Sequence, residues 1–214
     1  MYYIHPLPPQ EIISIYTQIA PLHFPAEELR PLSGIQSLLD RNGYSGLGLF
    51  RKLDEENSIL IGYALFIQIP GAPTVLLDYF AILEPYRGLG LGSSFIAQMK
   101  EHYSNIQGIL LETEDFDEAS TDDERNIRKQ RDAFYCKNGA RRTSIKSTVY
   151  DVPFQIFFIP SAITLSEKTS SSDSPFAQTA FEESGDNYLR HELDAIYRFM
   201  LTPENYNAHV RWRS

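Results

Sequence analysis

Residues 87–93 carry the clearest chemical signal in the chain. They read Arg-Gly-Leu-Gly-Leu-Gly-Ser and lie between an apolar run and an amphipathic run. The apolar run predicts a strand and the amphipathic run predicts a helix, so the glycines form the turn that leads into the helix. Unpaired backbone N–H groups at a helix N-terminus bind anions, and glycine lets a ligand approach the backbone closely. The segment therefore predicts a site for the pyrophosphate of a nucleotide-bearing cofactor.

Two common nucleotide-binding motifs and an ordinary turn fit this glycine loop less well. A dinucleotide-binding turn has the spacing G-x-G-x-x-G, whereas the glycines here are at positions 88, 90 and 92, and position 95 is Phe. A P-loop needs Lys-Ser or Lys-Thr after its last glycine, but Ser93 and Ser94 follow Gly92. An ordinary turn needs one or two glycines, and three alternating ones cost chain entropy unless a ligand is bound.

The flanking pattern predicts the elements that position this loop. Strand-like runs and helical stripes alternate along the chain. The predicted strands are residues 44–52, 58–69, 75–83, 108–114, 141–150 and 154–159. The predicted helices are residues 10–20, a second helix that is interrupted near Pro31 and resumes after Ser33, and residues 93–103. A fourth, long helix is capped by Thr121 and ends near Lys137.

The motif Arg87-x-x-Gly90-x-Gly92 resembles the acetyl-CoA signature of the GNAT acetyltransferase superfamily. Residues 77–82 look like the strand that this family places beside the pantetheine arm, and residues 84–86 look like its lead into the loop. Residues 134–140 are similar to the family's F-Y-x-x-x-G-[FY] element, except that Ala140 stands where an aromatic residue is common. The resemblance covers about residues 10–160.

This resemblance implies an α/β fold with a mixed, mostly antiparallel central sheet. A parallel pair of strands would be splayed at the cofactor site, and helices would cover both faces. The implied acetyltransferase domain is residues 1–160, followed by a Ser/Thr-rich linker at 161–187 and a C-terminal helical extension at 188–214. The extension lies outside the minimal family fold and offers a surface for a homodimer.

The resemblance also assigns the cofactor contacts. Loop N–H groups would hold the phosphates, and the preceding strand would meet the pantetheine amides. A backbone N–H near Ile82 would stabilise the oxyanion. The implied acetyl-CoA-binding residues are Phe80, Ala81, Ile82, Arg87, Gly88, Leu89, Gly90, Leu91, Gly92 and Ser93.

Three residues are the predicted catalytic groups. Tyr135 would act as the general acid toward the departing sulfur, although an aromatic residue packed beside Phe134 is an alternative. Asp78, inside an apolar strand and predicted to face the same side as Phe80 and Ile82, and Glu112 on the next strand are the candidate bases. Glu114 shares the face of Glu112, but a solvated strand end explains it better.

Charge and cysteine usage limit the function further. The net charge of −9 disfavours nucleic acid and attracts a small cation such as an amine. Residues 112–124 hold eight acids and residues 125–146 hold eight bases, which indicates either an acidic wall for a cationic acceptor or helix-dipole matching. The lone Cys136 excludes an internal disulfide, gives no metal-ligand spacing and predicts a small buried apolar residue.

The sequence thus predicts a cytoplasmic enzyme without a membrane span or a metal. It would transfer an acetyl group from acetyl-CoA to a primary amine, best a small molecule, by direct attack and without a covalent enzyme intermediate. The alternative is a GNAT-fold protein that binds acyl-CoA without turnover, as a sensor or an assembly module.

Overall fold

The computed structural model describes residues 1–161 and 175–213. The chain divides into two compact units, Met1–Met99 and Lys100–Ser214. Within the described residues, no helix has the length and apolarity that crossing a bilayer requires.

The first unit is a four-stranded antiparallel sheet with helices. Its strands lie in the order β1, β2, β3, β4, and each pairs with the next along the chain. The strands are β1 (Tyr2–Pro6), β2 (Tyr44–Lys52), β3 (Ser58–Gln68) and β4 (Thr74–Ile82), and the helices are α1 (Pro9–Gln18), α2 (Leu32–Asp40) and α3 (Leu91–His102). The predicted hairpin is confirmed as β2 and β3, whereas β1 was not predicted because it is a short edge strand beside prolines.

A β-bulge in β4 determines which residues face which helix. Leu65 pairs with Tyr79 and Phe66 pairs with Leu77, so Asp78 has no partner on β3. A bulge of this kind bends the strand and breaks the alternation of side chains. Asp78 and Tyr79 therefore both reach the segment between α1 and α2.

Phe80 lies on the opposite face of the sheet and packs against Phe95 of α3, with ring centroids 5.5 Å apart. The prediction that Asp78 shares a face with Phe80 and Ile82 is therefore wrong, because the bulge shifts the alternation between them. On the other face, Tyr16 of α1 packs edge-on against Tyr79. The predicted placement of helices on both faces is confirmed for this unit.

The second unit has its own four strands, in the order β5, β7, β6, β8, and every pair is antiparallel. The side chain of Thr121 caps α4 by accepting from the N–H of Glu124, as the capping-box spacing predicted. The elements are β5 (Gly108–Glu114), α4 (Asp122–Lys137), β6 (Arg141–Val149), β7 (Val152–Pro160), α5 (Pro175–Met200), α6 (Pro203–His209) and β8 (Val210–Arg213).

The C-terminal extension folds onto the second unit. Helix α5 begins at Pro175, inside the stretch predicted as a linker to residue 187, and proline is favoured in the first turn of a helix. Residues 162–174 of the predicted linker lie outside the described residues. The apolar stripe of α5 is buried, and β8, which is too short to be read from its pattern, pairs with β6.

Candidate active site

The glycine loop has the backbone that a close-fitting anion site needs. Gly88 has φ of 76° and Gly90 has φ of 75°. This is the left-handed conformation, in which any residue with a side chain is strained. A Cβ added at either position would meet nothing within 4 Å. Glycine is therefore required at these two positions by the backbone conformation and not by close packing. The space above the backbone is open to a ligand.

Helix α3 presents its N-terminus at the end of this loop. Its first backbone bond runs from the Ser94 N–H to the Gly90 carbonyl, at 3.2 Å. The N–H groups of Leu91, Gly92 and Ser93 precede that bond, so helix geometry gives them no intrahelical acceptor. The Leu91 side chain is buried and fixes the helix start, while Leu89 is exposed. The predicted phosphate-binding loop thus has the geometry of an anion site.

The end of β4 directs backbone groups away from its neighbour β3. Leu83 donates its N–H to the Ile61 carbonyl at 2.9 Å, and Gly62 lies opposite Ile82. In an antiparallel ladder, alternate residues point their N–H and C=O groups outward. The peptide groups of Phe80 and Ile82 therefore point away from β3. The Ile82 carbonyl accepts a 2.9 Å bond from Arg87 Nε, which ties the loop to the strand.

Asp78 is held by an ion pair on the face toward α1. Arg30 donates to its Oδ1 from Nη2 at 3.0 Å and from Nε at 3.1 Å, and Tyr44 donates to its Oδ2 at 2.8 Å. Burial opposes the charge of Arg30, but the Asp78 carboxylate outweighs it and raises the pKa of the guanidinium. These contacts favour an anchoring role for Asp78, and its role as a base stays a prediction.

The segment from His23 to Arg30 is fastened to β3 and β4. The Tyr79 hydroxyl donates to the Glu28 carbonyl at 2.9 Å and accepts from the Arg30 N–H at 3.2 Å. His23 Nδ1 lies 3.0 Å from the hydroxyl of the buried Tyr63. Burial, assisted by the charge of Arg87, lowers the pKa of His23 and keeps the imidazole neutral. Sequence reasoning missed His23, since a lone histidine between prolines carries no pattern.

Glu112 lies on β5 and is bound by the C-terminal extension. Its carboxylate accepts a hydrogen bond from the Tyr197 hydroxyl of α5. The Tyr197 hydroxyl also lies 3.0 Å from Ser147 Oγ on β6. No sequence pattern could connect Glu112 with Tyr197, because 85 residues separate them.

The neighbouring Glu114 is paired to α4. Arg128 binds its carboxylate at 2.9 Å and Arg131 binds it at 3.5 Å. Glu114 is the last residue of β5, as the interpretation of a strand end requires, but its 27% exposed side chain is paired with two cations of the following helix. Lys146 and Arg213 likewise bind the buried Asp115, at 2.8 Å and 3.3 Å. Several charges of the acidic and basic runs thus neutralise each other inside the unit.

Tyr135 lies on α4 and is half-buried. Its ring packs edge-on against Phe134, with centroids 5.3 Å apart. Burial raises the pKa of Tyr135 to about 12, so the phenol keeps its proton at neutral pH. Among the described residues, no side chain or backbone group is hydrogen-bonded to its hydroxyl. Its ring is packed and its phenol is protonated, and its role as the general acid stays a prediction.

Two further groups lie near Tyr135 on α4. Asp132, one helical turn earlier, is buried, and desolvation raises the pKa of its carboxyl group. Cys136 is exposed, so the prediction of a buried cysteine is wrong. Desolvation of the sulfur nevertheless raises the pKa of the Cys136 thiol, which disfavours the nucleophilic thiolate. Within the described residues, no cluster of three or more His, Cys, Asp or Glu could hold a metal.

Comparison with known proteins identifies the family. The sequence model of the acetyltransferase (GNAT) family matches residues 10–122. YjbC of Bacillus subtilis (strain 168), whose name places it among the acetyltransferases, is 31% identical over 106 residues, which are 50% of this chain. The match spans about half of that relative, 48% of its length.

Solved structures share the fold at low sequence identity. A GNAT-family protein of Bacteroides thetaiotaomicron superposes with a TM-score of 0.57 and 17% identity, over 78% of this chain and 93% of that one. Spermidine N-acetyltransferase of Vibrio cholerae, in complex with CoA and spermine, gives a TM-score of 0.51 and 11% identity, over 77% and 98% of the two chains. The ribosomal-protein-S18-alanine N-acetyltransferase of Escherichia coli gives 0.51 and 16%, over 75% and 94%.

These likenesses agree with the predicted α/β fold, which is confirmed. The family match runs from α1 through β5 to the start of α4, and it contains the bulged strand, the glycine loop and the start of α3. Because that match extends over more than half of the chain, this protein belongs to the acetyltransferase (GNAT) family.

Proposed function

We propose that this protein is an N-acetyltransferase that moves an acetyl group from acetyl-CoA to a primary amine of a small molecule. The observation that carries the proposal is the glycine loop. Gly88 and Gly90 hold left-handed conformations with open space above them, next to the unpaired N-terminus of α3. Left-handed glycines with open space also occur in ordinary turns, as at Gly71, and the feature that favours an anion here is the adjacent helix N-terminus with its free N–H groups.

The residues present fit acetyl-CoA. The backbone of residues 87–93 would hold the phosphates, and the outward peptide groups of Phe80 and Ile82 would bind the pantetheine amides as a neighbouring strand does. When bound, acetyl-CoA supplies an activated thioester. The Ile82 N–H is the proposed oxyanion donor, since a rigid strand fixes its direction in advance.

The proton chemistry falls to Glu112 and Tyr135 in this proposal. An amine must lose a proton to attack, because its ordinary pKa is about 10. Glu112 is the preferred base, since the Asp78 carboxylate is already held by Arg30 and Tyr44. With its pKa raised to about 12, Tyr135 stays protonated, and we propose that it donates a hydrogen bond to the departing sulfur. A thiol has an ordinary pKa near 8.5, so the thiolate needs this hydrogen bond more than a complete proton transfer.

The acceptor is inferred from the charge of the chain. The formal charge of −9 favours a cationic small molecule over a polyanion. The structural neighbours act on different amines, since one is named for spermidine and another for a ribosomal-protein alanine. The shared fold therefore does not select the acceptor, and the charge of this chain supports the small amine.

Turnover with a panel of amines tests this function. The protein is incubated with acetyl-CoA and polyamines, amino acids, aminoglycosides or lysine peptides, and released CoA thiol and acetylated product are both measured. We expect stoichiometric release and acetylation with at least one small amine. Binding of acetyl-CoA without acetylation of any amine would contradict the enzyme and support the acyl-CoA-binding module instead. NAD replaces acetyl-CoA in a control binding measurement, and tight NAD binding would contradict the proposed cofactor.

A further inference from the structure

Tyr197 lies in the C-terminal extension, beyond the part of the chain that the family model matches. Its side chain is fully buried, and its hydroxyl donates to the Glu112 carboxylate. The hydroxyl of this buried ring therefore contacts the carboxylate that the proposed chemistry uses as a base. Burial of a phenol is costly unless its hydroxyl is hydrogen-bonded, so the position of the ring and the position of Glu112 depend on each other.

The direction of the hydrogen bonds around Tyr197 follows from its single proton. The hydroxyl gives that proton to Glu112, because a carboxylate can only accept. The 3.0 Å contact with Ser147 must then run the other way, from the Ser147 hydroxyl to the Tyr197 oxygen. The result is a directional chain from Ser147 through Tyr197 to Glu112, in which each bond polarises the next.

Two elements of the extension hold Tyr197 in this orientation. Its ring stacks on Trp212 of β8, with centroids 5.7 Å apart and an interplanar angle of 30°. Trp212 lies opposite Ser147 in the pairing of β6 with β8. On α5 itself, Leu193 and Ile196 are buried beside it. The stacking on Trp212 and the complete burial of the ring therefore limit the movement of the hydroxyl.

We propose that Tyr197 is a positioning residue for acetyl transfer, which orients the Glu112 carboxylate and keeps it ionised for proton removal from the amine. This inference rests on the proposed function, with Glu112 as the base. A hydrogen bond donated to the ionised form favours that form, so the phenol keeps the base active toward lower pH. The C-terminal extension thereby takes part in catalysis through Tyr197.

The test compares Tyr197→Phe with Tyr206→Phe by measuring kcat/KM from pH 5.5 to 9. Tyr206 is a matched control, because it is also buried in the extension and its hydroxyl also donates to a carboxylate, that of Asp194. We expect Tyr197→Phe to lower kcat/KM about 10- to 100-fold, as the loss of a charge-assisted hydrogen bond would. The acid limb of the profile, which is the fall of kcat/KM at low pH, should move up by about one pH unit in Tyr197→Phe. Tyr206→Phe should leave the acid limb at the wild-type pH.

Two further variants keep the test decisive. Ser147→Ala removes the first hydrogen bond of the series from Ser147 to Glu112 and should move the acid limb in the same direction by a smaller amount. This variant provides the test if Tyr197→Phe folds poorly. Glu112→Gln should abolish the acid limb. Equal pH profiles for Tyr197→Phe, Ser147→Ala and Tyr206→Phe would overturn the positioning role. Full activity of Glu112→Gln would also overturn it, while leaving acetyl transfer itself intact, and a wild-type protein that acetylates no amine would overturn the proposed function.

Discussion

Arg30 binds Asp78 through two nitrogen atoms, Nη2 at 3.0 Å and Nε at 3.1 Å from the same carboxylate oxygen. The Asp78 side chain is 6% exposed, so the pair is largely removed from water. This ion pair joins β4, at its bulge, to the segment that leads into α2. One of the two carboxylates predicted as a base thus holds two elements together.

We expect Asp78→Asn to lower stability more than catalysis. Removing one partner of a buried ion pair leaves the other charge uncompensated and costs about 3–5 kcal/mol. Arg30 is 23% exposed, and solvent screening places the expected loss in the free energy of unfolding at the lower end, about 3 kcal/mol. Urea unfolding measures it, while kcat of the folded variant should fall less than tenfold, by about threefold. The exposed pair of Arg198 with Asp194 gives the control, and Arg198→Gln should change stability far less. A stable Asp78→Asn protein without turnover would restore Asp78 as the base.

We expect Tyr135→Phe to lower kcat about 100-fold with little change in acetyl-CoA affinity, because the proposed hydrogen bond to sulfur forms during the reaction. The pKa of Tyr135, raised to about 12 by burial, lies above the usual assay range. The wild-type kcat should therefore show no alkaline limb from this phenol up to about pH 10. Tyr150→Phe, at an exposed turn, is the control and should behave as wild type. An unchanged kcat in Tyr135→Phe would leave this residue as a packed aromatic ring only.

His23 predicts a pH dependence of stability. Burial and the charge of Arg87 lower the pKa of His23 in the folded protein below its ordinary value of about 6.5. The unfolded chain then binds more protons than the folded one in this range, so stability is present above about pH 6.5 and is lost as the pH falls. Urea unfolding at pH 7.5 and pH 5 should show a smaller loss in His23→Asn than in the wild type. His5→Asn, on the exposed edge strand, should keep the wild-type loss, and an identical loss in all three proteins would contradict the role of His23.

The local patterns of the chain were enough to predict most elements and the glycine turn that leads into α3. The strand before residue 84, the glycine turn and the following helix are contiguous, and each depends on its own residue types. The orientation of Asp78 could not be predicted, because one unmatched residue on β4 reverses the alternation. Residues brought together from distant parts of the chain were also missed. Tyr197 meets Glu112 only because α5 packs on the second unit, and His23 meets Tyr63 only through the tertiary fold.

Calorimetric titration of acetyl-CoA into Gly90→Val and Gly71→Val tests the central claim most directly. Gly71 has φ of 82° and a Cβ there would meet nothing within 4 Å, so the two glycines are alike in conformation and space. Valine should destabilise both proteins by a similar amount, about 1–3 kcal/mol, through backbone strain. Only Gly90→Val fills the space beside the N-terminus of α3. We expect Gly90→Val to weaken acetyl-CoA binding about tenfold or more, while Gly71→Val binds acetyl-CoA as the wild type does. Equal affinity in the two variants would contradict a cofactor site at the glycine loop.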